Sequence, residues 1–257
     1  MHIHLPKPLH GWRALLGEIG VVFVGIVLAL GAEALLQDYH WHQQAKISED
    51  AIKRELKGAG LVSYERLILQ PCLHGQLSRL ATALTSGSTH WTAMSMATST
   101  VAGAPQADRV IVGAYRPPSR LMGEDGWRNA ISVGALNHMD ARQVAQLTSI
   151  YASMATWLAA QDEEASAASQ LAPLAFDGSM DDRRRSDMIA AVAEVDRLNS
   201  LMAIVSQQMI DKIRRLGLGY SRQDLSRDGV YEPDYAVKIQ REARGACVRD
   251  DLKLDLG

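Results

Sequence analysis

Residues 17–36, GEIGVVFVGIVLALGAEALL, constrain this chain more than any other stretch. Uncharged residues run from Ile19 to Ala32, and the wider apolar run from Ala14 to Leu36 is interrupted only by Glu18 and Glu33. A helix of about 20 apolar residues crosses the roughly 30 Å hydrocarbon core of a bilayer, so the wider run has spanning length. Trp12 precedes it, and Tyr39 and Trp41 follow it, where interfacial aromatic belts lie. From Trp12 to Tyr39 a helix rises roughly 40 Å at about 1.5 Å per residue. That matches a bilayer with its headgroups, about 40–45 Å.

Three readings compete: a spanning anchor, a cleaved signal peptide and a buried helix of a soluble protein. Lys7 and Arg13 before the apolar run, with small residues in ALGAEA, have the form of a signal peptide. Against cleavage, the run flows without a turn signal into LLQDYHWHQQAKISEDAIKREL. That continuation carries the helix-stabilising i,i+4 pairs Glu49 with Lys53 and Asp50 with Arg54. The uncleaved anchor is therefore expected, with residues 1–13 cytoplasmic, 14–36 transmembrane and 37–257 an exported helical domain. Lys7 and Arg13 precede the span and Lys46 follows it, which orients the N-terminus inward.

Glu18 and Glu33 would lie just inside the hydrocarbon boundary, where an ionised carboxylate is costly unless paired, hydrated or protonated. At about 100° per residue, Glu18, Gly25, Ala29 and Ala32 share a direction within about 40°, with Glu33 about 60° away. Gly25 and Ala29 form a small-xxx-small pair that lets membrane helices approach closely. The expected partners are thus the lipid bilayer and another transmembrane helix, from a second copy or another protein.

The residues Gly17, Glu18, Ile19, Gly25, Ala29 and Leu30 carry a resemblance. They resemble the Gly-Glu-Ile/Val transmembrane anchor of an uncharacterised family of single-pass bacterial inner-membrane proteins with an exported helical domain. Looser similarity continues through the Cys72 region, GWRNAISVGAL and the last cysteine. The resemblance implies topology and brings no activity with it.

Beyond the anchor the sequence is mainly α. Nearly half of the residues are apolar, 22% are charged and 5% aromatic, a balance that favours helix over sheet. Ile47, Ile52, Leu56 and Leu61 recur at helical spacing, with a weak point or break at Gly58 and Gly60. Pro71 should kink that helix or start another. Residues 85–120, rich in Ser, Thr, Gly and Pro, predict a long irregular loop with a short strand near Val110 to Val112. Helix resumes at DGWRNAISVGAL, Asp140 with Gln143 offers a capping box, and Ser179 a further cap ahead of Asp181 and Asp182. Met188, Val192, Val195, Met202, Val205, Met209, Ile213 and Leu216 form a core stripe, closed by Lys212, Arg214, Arg215 and Gly217. The whole predicts an N-terminal transmembrane helix continuing into a bundle of antiparallel helices.

Few residues offer chemistry. Net charge is −2, which excludes an overall basic field for nucleic acid. Cys72 and Cys247 fit no metal spacing and are expected to pair as a disulfide in an oxidising compartment. His40 and His42 point apart on a helix and cannot share a metal ion; no cofactor motif is present. Asp162 to Glu164 reads as a solvent-facing acidic run, and Trp127 as a packing anchor. Trp127, Arg128, Arg183, Arg184 and Arg185 are candidate partner-facing residues. The expected function is a non-catalytic interaction or accessory module. Its rivals are a ligand-sensing bundle that works through a partner and an enzyme with its site beneath the 85–120 loop.

Overall fold

The computed structural model describes residues 12–94, 114–218 and 232–256. Its spine is α1, Trp12–Thr85, roughly 110 Å of helix at about 1.5 Å per residue. Neither Gly58 and Gly60 nor Pro71 interrupts it. Pro71 lies on the exposed side, so its ring meets solvent and the loss is confined to one backbone donor. Gly60 is needed for another reason: a Cβ there would meet Leu256 Cδ2 at 2.9 Å. The glycine is a seat for the C-terminal tail.

From Ile52 onward one stripe of α1 is buried, with steps alternating four and three: Ile52, Leu56, Ala59, Ser63, Arg66, the half-buried Gln70, Leu73, Leu77, Leu80 and Leu84. This heptad-like seam packs on α4, Asp182–Arg214. The other face of α4 receives α3, Ala141–Ser169. Helix α4 is antiparallel to both: Arg185 reaches the Leu84 carbonyl, and Trp157 reaches Ser206. Helices α1 and α3 run parallel, since Gln143, Tyr151 and Glu164 bond Glu49, Glu55 and Arg66 in rising order. The expected bundle is present, with α1 and α3 as a parallel pair.

The connection from α1 to α3 carries the chain back down the bundle. Strand β1, His90–Trp91, pairs antiparallel with β2, Gly178–Ser179, at the far end. The strand expected at Val110 to Val112 lies outside the described residues. Helix α2, Asp125–Ser132, then lies on α1 so closely that a Cβ at Gly126 would come within 3.1 Å of Ala51 Cβ. A 3₁₀ turn, Ala135–His138, ends with His138 stacked on Trp41, ring centroids 4.6 Å apart.

The caps follow the sequence with two corrections. Asp140 Oδ1 accepts from the amides of Arg142 and Gln143, but the Gln143 side chain bonds Glu49 and closes no capping box. Ser179 belongs to β2, and Asp181 caps α4 through the Arg184 amide. Gly217, at φ 63°, lies past the end of α4. The Met188-to-Leu216 stripe is core.

Helix α5, Pro233–Arg244, leads into a tail that descends α1. Cys247 bonds Cys72, the Arg249 amide meets the Ile68 carbonyl at 3.0 Å, and the Tyr64 hydroxyl donates to the Leu252 carbonyl. The disulfide closes a loop with a sequence separation of 175. Replacing Cys72 and Cys247 by serine should lower unfolding stability by about 2–5 kcal/mol. Thermal melts with and without reductant measure this; an unchanged melting point would mean that the tail is held without the bond.

Candidate functional site

Three places hold the residues that function can draw on. The first is the exposed length of α1. Every residue from Leu16 to His40 is exposed, and this helix is long and apolar enough to cross a membrane. Glu18, Gly25, Ala29, Ala32 and Glu33 all lie on it, and among the described residues nothing beyond the helix's own backbone comes within 4 Å of a Cβ built at Gly25. Among the described residues, neither glutamate has an ion-pair partner.

The second place is where α1 meets the base of the bundle. A pocket of about 670 Å³ is lined by Glu33, Leu36, Gln37, His40, Trp41, Gln43, Gln44, Ile47 and Val133. All but Val133 come from α1, and Val133 is placed there because α2 is pinned above. That pinning is done by Glu55. Its carboxylate accepts from the amides of Gly126 and Trp127 in the first turn of α2 and from the Tyr151 hydroxyl. Such a carboxylate satisfies the free donors of a helix N-terminus and suits its dipole. Trp127 stacks on Tyr151 with centroids 4.8 Å apart, so it is a packing anchor as well as a partly exposed surface.

The third place is a polar layer inside the bundle. Arg66 is fully buried on the α1 seam and makes a two-pronged ion pair with Glu164 of α3, at 2.8 and 2.6 Å. It also donates to Asn199 of α4 at 2.9 Å. Tyr115 closes the layer with a 2.7 Å bond to Glu164. Next to it Glu65 accepts from Arg120, at 2.6 and 2.7 Å, and from Gln240 of α5. Gln161 holds the Arg120 backbone from both sides. Acids thus do gather beneath Ala114 to Met122, and each is engaged by an arginine. Glu164, read from the sequence as solvent-facing, is completely buried. An ionised pair taken from water needs this density of hydrogen bonds to hold.

The remaining candidates do not converge. Arg128 pairs with Glu124 on the surface of α2. Arg184 bonds the Ser179 carbonyl, Arg185 bonds the carbonyls of Leu84 and Ser88, and Arg183 is exposed. Gly126 sits by Ala51 and Arg185 by Leu84, which places the two groups roughly 50 Å apart along α1 at about 1.5 Å per residue. They are two surfaces. His42 bonds the Asp38 carbonyl, and among the described residues no three His, Cys, Asp or Glu side chains form a metal-binding group.

Glu55, Arg66, Tyr115 and Asn199 do not stand out in the sequence, and neither does the joining of Leu36, His40, Trp41 and Ile47 with Val133 in one pocket. The signal was there for part of them. On α3, Leu147, Ile150, Met154, Trp157, Gln161 and Glu164 step by three and four, and Glu164 falls on that seam. No protein-family model, curated protein or solved structure matches this chain, so its chemistry has to be read from its own residues.

Burial raises the pKa of Tyr64, Tyr115 and Tyr151, and for Tyr115 the Glu164 charge adds to it while Arg66 opposes it. An unfolded tyrosine releases its proton near pH 10. Above that pH the unfolded chain has lost protons that the folded chain keeps, so stability is intact below about pH 10 and falls as pH rises further. In an alkaline titration these three tyrosines should ionise only as the helical circular-dichroism signal disappears. Complete tyrosinate absorbance with the helix signal intact would contradict their burial.

Proposed function

We propose that this is a single-pass protein of the bacterial inner membrane, with its N-terminus in the cytoplasm and its helical domain in the periplasm. It acts there as a non-catalytic interaction or accessory module. The observation that carries this reading is the stretch from Leu16 to Leu36, exposed at every residue and apolar but for Glu18 and Glu33, joined without a break to a packed bundle. Contiguous apolar surface of this extent marks a membrane or protein contact, and acyl chains would solvate it. The Cys72–Cys247 bond suits an oxidising compartment. Lys7 and Arg13 before the span favour a cytoplasmic N-terminus.

The face of Glu18, Gly25, Ala29, Ala32 and Glu33 is where a second transmembrane helix would pack. Gly25 and Ala29 let the backbones approach, and a polar group on the other helix would offset the cost of the two carboxylates. The engagement of Glu65 and Glu164 by arginines favours a scaffold over a reactive centre.

Affinity purification from native membranes in mild detergent, beside a form lacking residues 1–36, tests this function. A specific partner should be captured by the full chain and lost with the anchor. It should also be lost in Gly25→Ile/Ala29→Ile, which adds bulk to the face and leaves the bundle untouched. A partner retained by every form would move the interaction to the aqueous helices, and no partner at all would count against the module.

A further inference from the structure

We propose that the helix packed on Gly25 and Ala29 belongs to another protein and carries a lysine or arginine that pairs with Glu33. This rests on the reading of residues 14–36 as a membrane span. Two carboxylates, Glu18 and Glu33, lie within that span, and helix geometry treats them differently. The Cα–Cβ bonds of an α-helix lean toward its N-terminus. Glu18, near the N-terminal end of the span, therefore leans toward the nearer water layer. Glu33 comes three residues before Leu36, the last apolar residue, roughly 5 Å inside the edge at about 1.5 Å per residue. It leans back into the hydrocarbon, where an ionised carboxylate is costly unless it is paired.

Among the described residues the chain supplies Glu33 with no cation. Its neighbours one turn away, Ala29, Leu30, Leu36 and Gln37, are uncharged. The pocket that Glu33 borders is lined by no lysine or arginine, and none of the ion pairs includes it. The position of Glu33 says where a cation can come from. Gly25, Ala29 and Glu33 are spaced by four, so they lie along one ridge of the helix. Small residues on such a ridge let a second helix cross closely, and all three positions are exposed. A helix that crosses at Gly25 and Ala29 passes Glu33 within a further turn.

Charge then selects among the helices that could cross. A second copy in the same bilayer, related by a two-fold axis along the membrane normal, would bring the two Glu33 carboxylates together. Like charges repel most strongly where water is excluded. A wholly aliphatic helix would leave the carboxylate unpaired. A lysine or arginine satisfies it, since the long stem lies along apolar surface while its charged head meets the carboxylate.

The test uses the full-length protein in lipid vesicles, with a synthetic transmembrane helix as the probe. Association is read by energy transfer between dyes on the two. The probe is a leucine-alanine helix with a Gly-xxx-Gly ridge, and it carries arginine, leucine or glutamate at the depth of Glu33. Flotation of the vesicles reports whether the protein is inserted. The arginine probe should bind about tenfold more tightly than the leucine probe, the scale of a polar contact between membrane helices. The glutamate probe should bind least. Glu33→Gln should bring the arginine and leucine probes to equal affinity, and Glu18→Gln should leave the arginine preference in place. Glu33→Arg should reverse the order, so that the glutamate probe binds best. Equal binding of the probes by the native protein, or an arginine preference that survives Glu33→Gln, overturns the proposal while flotation keeps the span. A dimer of the native protein that excludes the arginine probe and is abolished by Gly25→Ile overturns it too. Protein that fails to float overturns the span and the proposal together.

Discussion

The Arg66–Glu164–Asn199 layer is the constraint from which the rest of the bundle takes its register. Three helices each carry a seam of four-and-three spacing, and such seams tolerate sliding by a heptad when every layer is apolar. One charged layer removes that freedom. If α3 or α4 slipped, Arg66 would lose two carboxylate bonds and an amide, and a lone charge would be left in the core. Breaking such a buried pair costs about 3–5 kcal/mol, comparable to the whole stability of many domains, about 5–15 kcal/mol. The same layer recruits its cover. Tyr115 is drawn onto Glu164, and Glu65, one residue before Arg66, brings in Arg120 and α5.

The second organising element is mechanical. Because α1 is continuous from Trp12 to Thr85, the helix proposed to cross the bilayer is also the helix that carries Glu55, Arg66 and Cys72. A tilt or rotation imposed on the anchor is delivered directly to the bundle, with no linker to absorb it. The tail reinforces this by bonding α1 at Cys72, Ile68 and Tyr64 and seating Leu256 on Gly60. On the proposed reading, a partner that gripped residues 14–36 would thereby grip the domain.

What the sequence revealed and what it hid follow from where the partner of each residue lies. The apolar run, the Asp140 cap, the methionine stripe of α4 and the pair of cysteines are local or compositional signals, and they are legible. Gly60 and Pro71 read as breakers because their context is remote. Gly60 is explained by Leu256, near the other end of the chain, and Pro71 by a face that the bundle leaves exposed. Ser179 and Asp181 are both good caps, and only the pairing of Gly178–Ser179 with β1 decides between them. Arg66 is the sharpest case. A charge in an otherwise apolar seam interrupts the periodicity, and its meaning depends on Glu164, 98 residues on. The pocket was hidden for a similar reason: Val133 reaches it only because Glu55 pins α2.

The central claim is that α1 is one uncleaved helix that crosses a bilayer and continues as the spine of the bundle. A nitroxide scan along residues 16–47 of the full-length protein in lipid vesicles tests it most directly. Accessibility to oxygen should peak near Ile26 and give way to a water-soluble nickel probe beyond Trp41, with intact mass showing residues 1–36 still attached. A nickel probe that reaches Val21 to Leu30, or a mature protein that lacks this segment, would contradict the account.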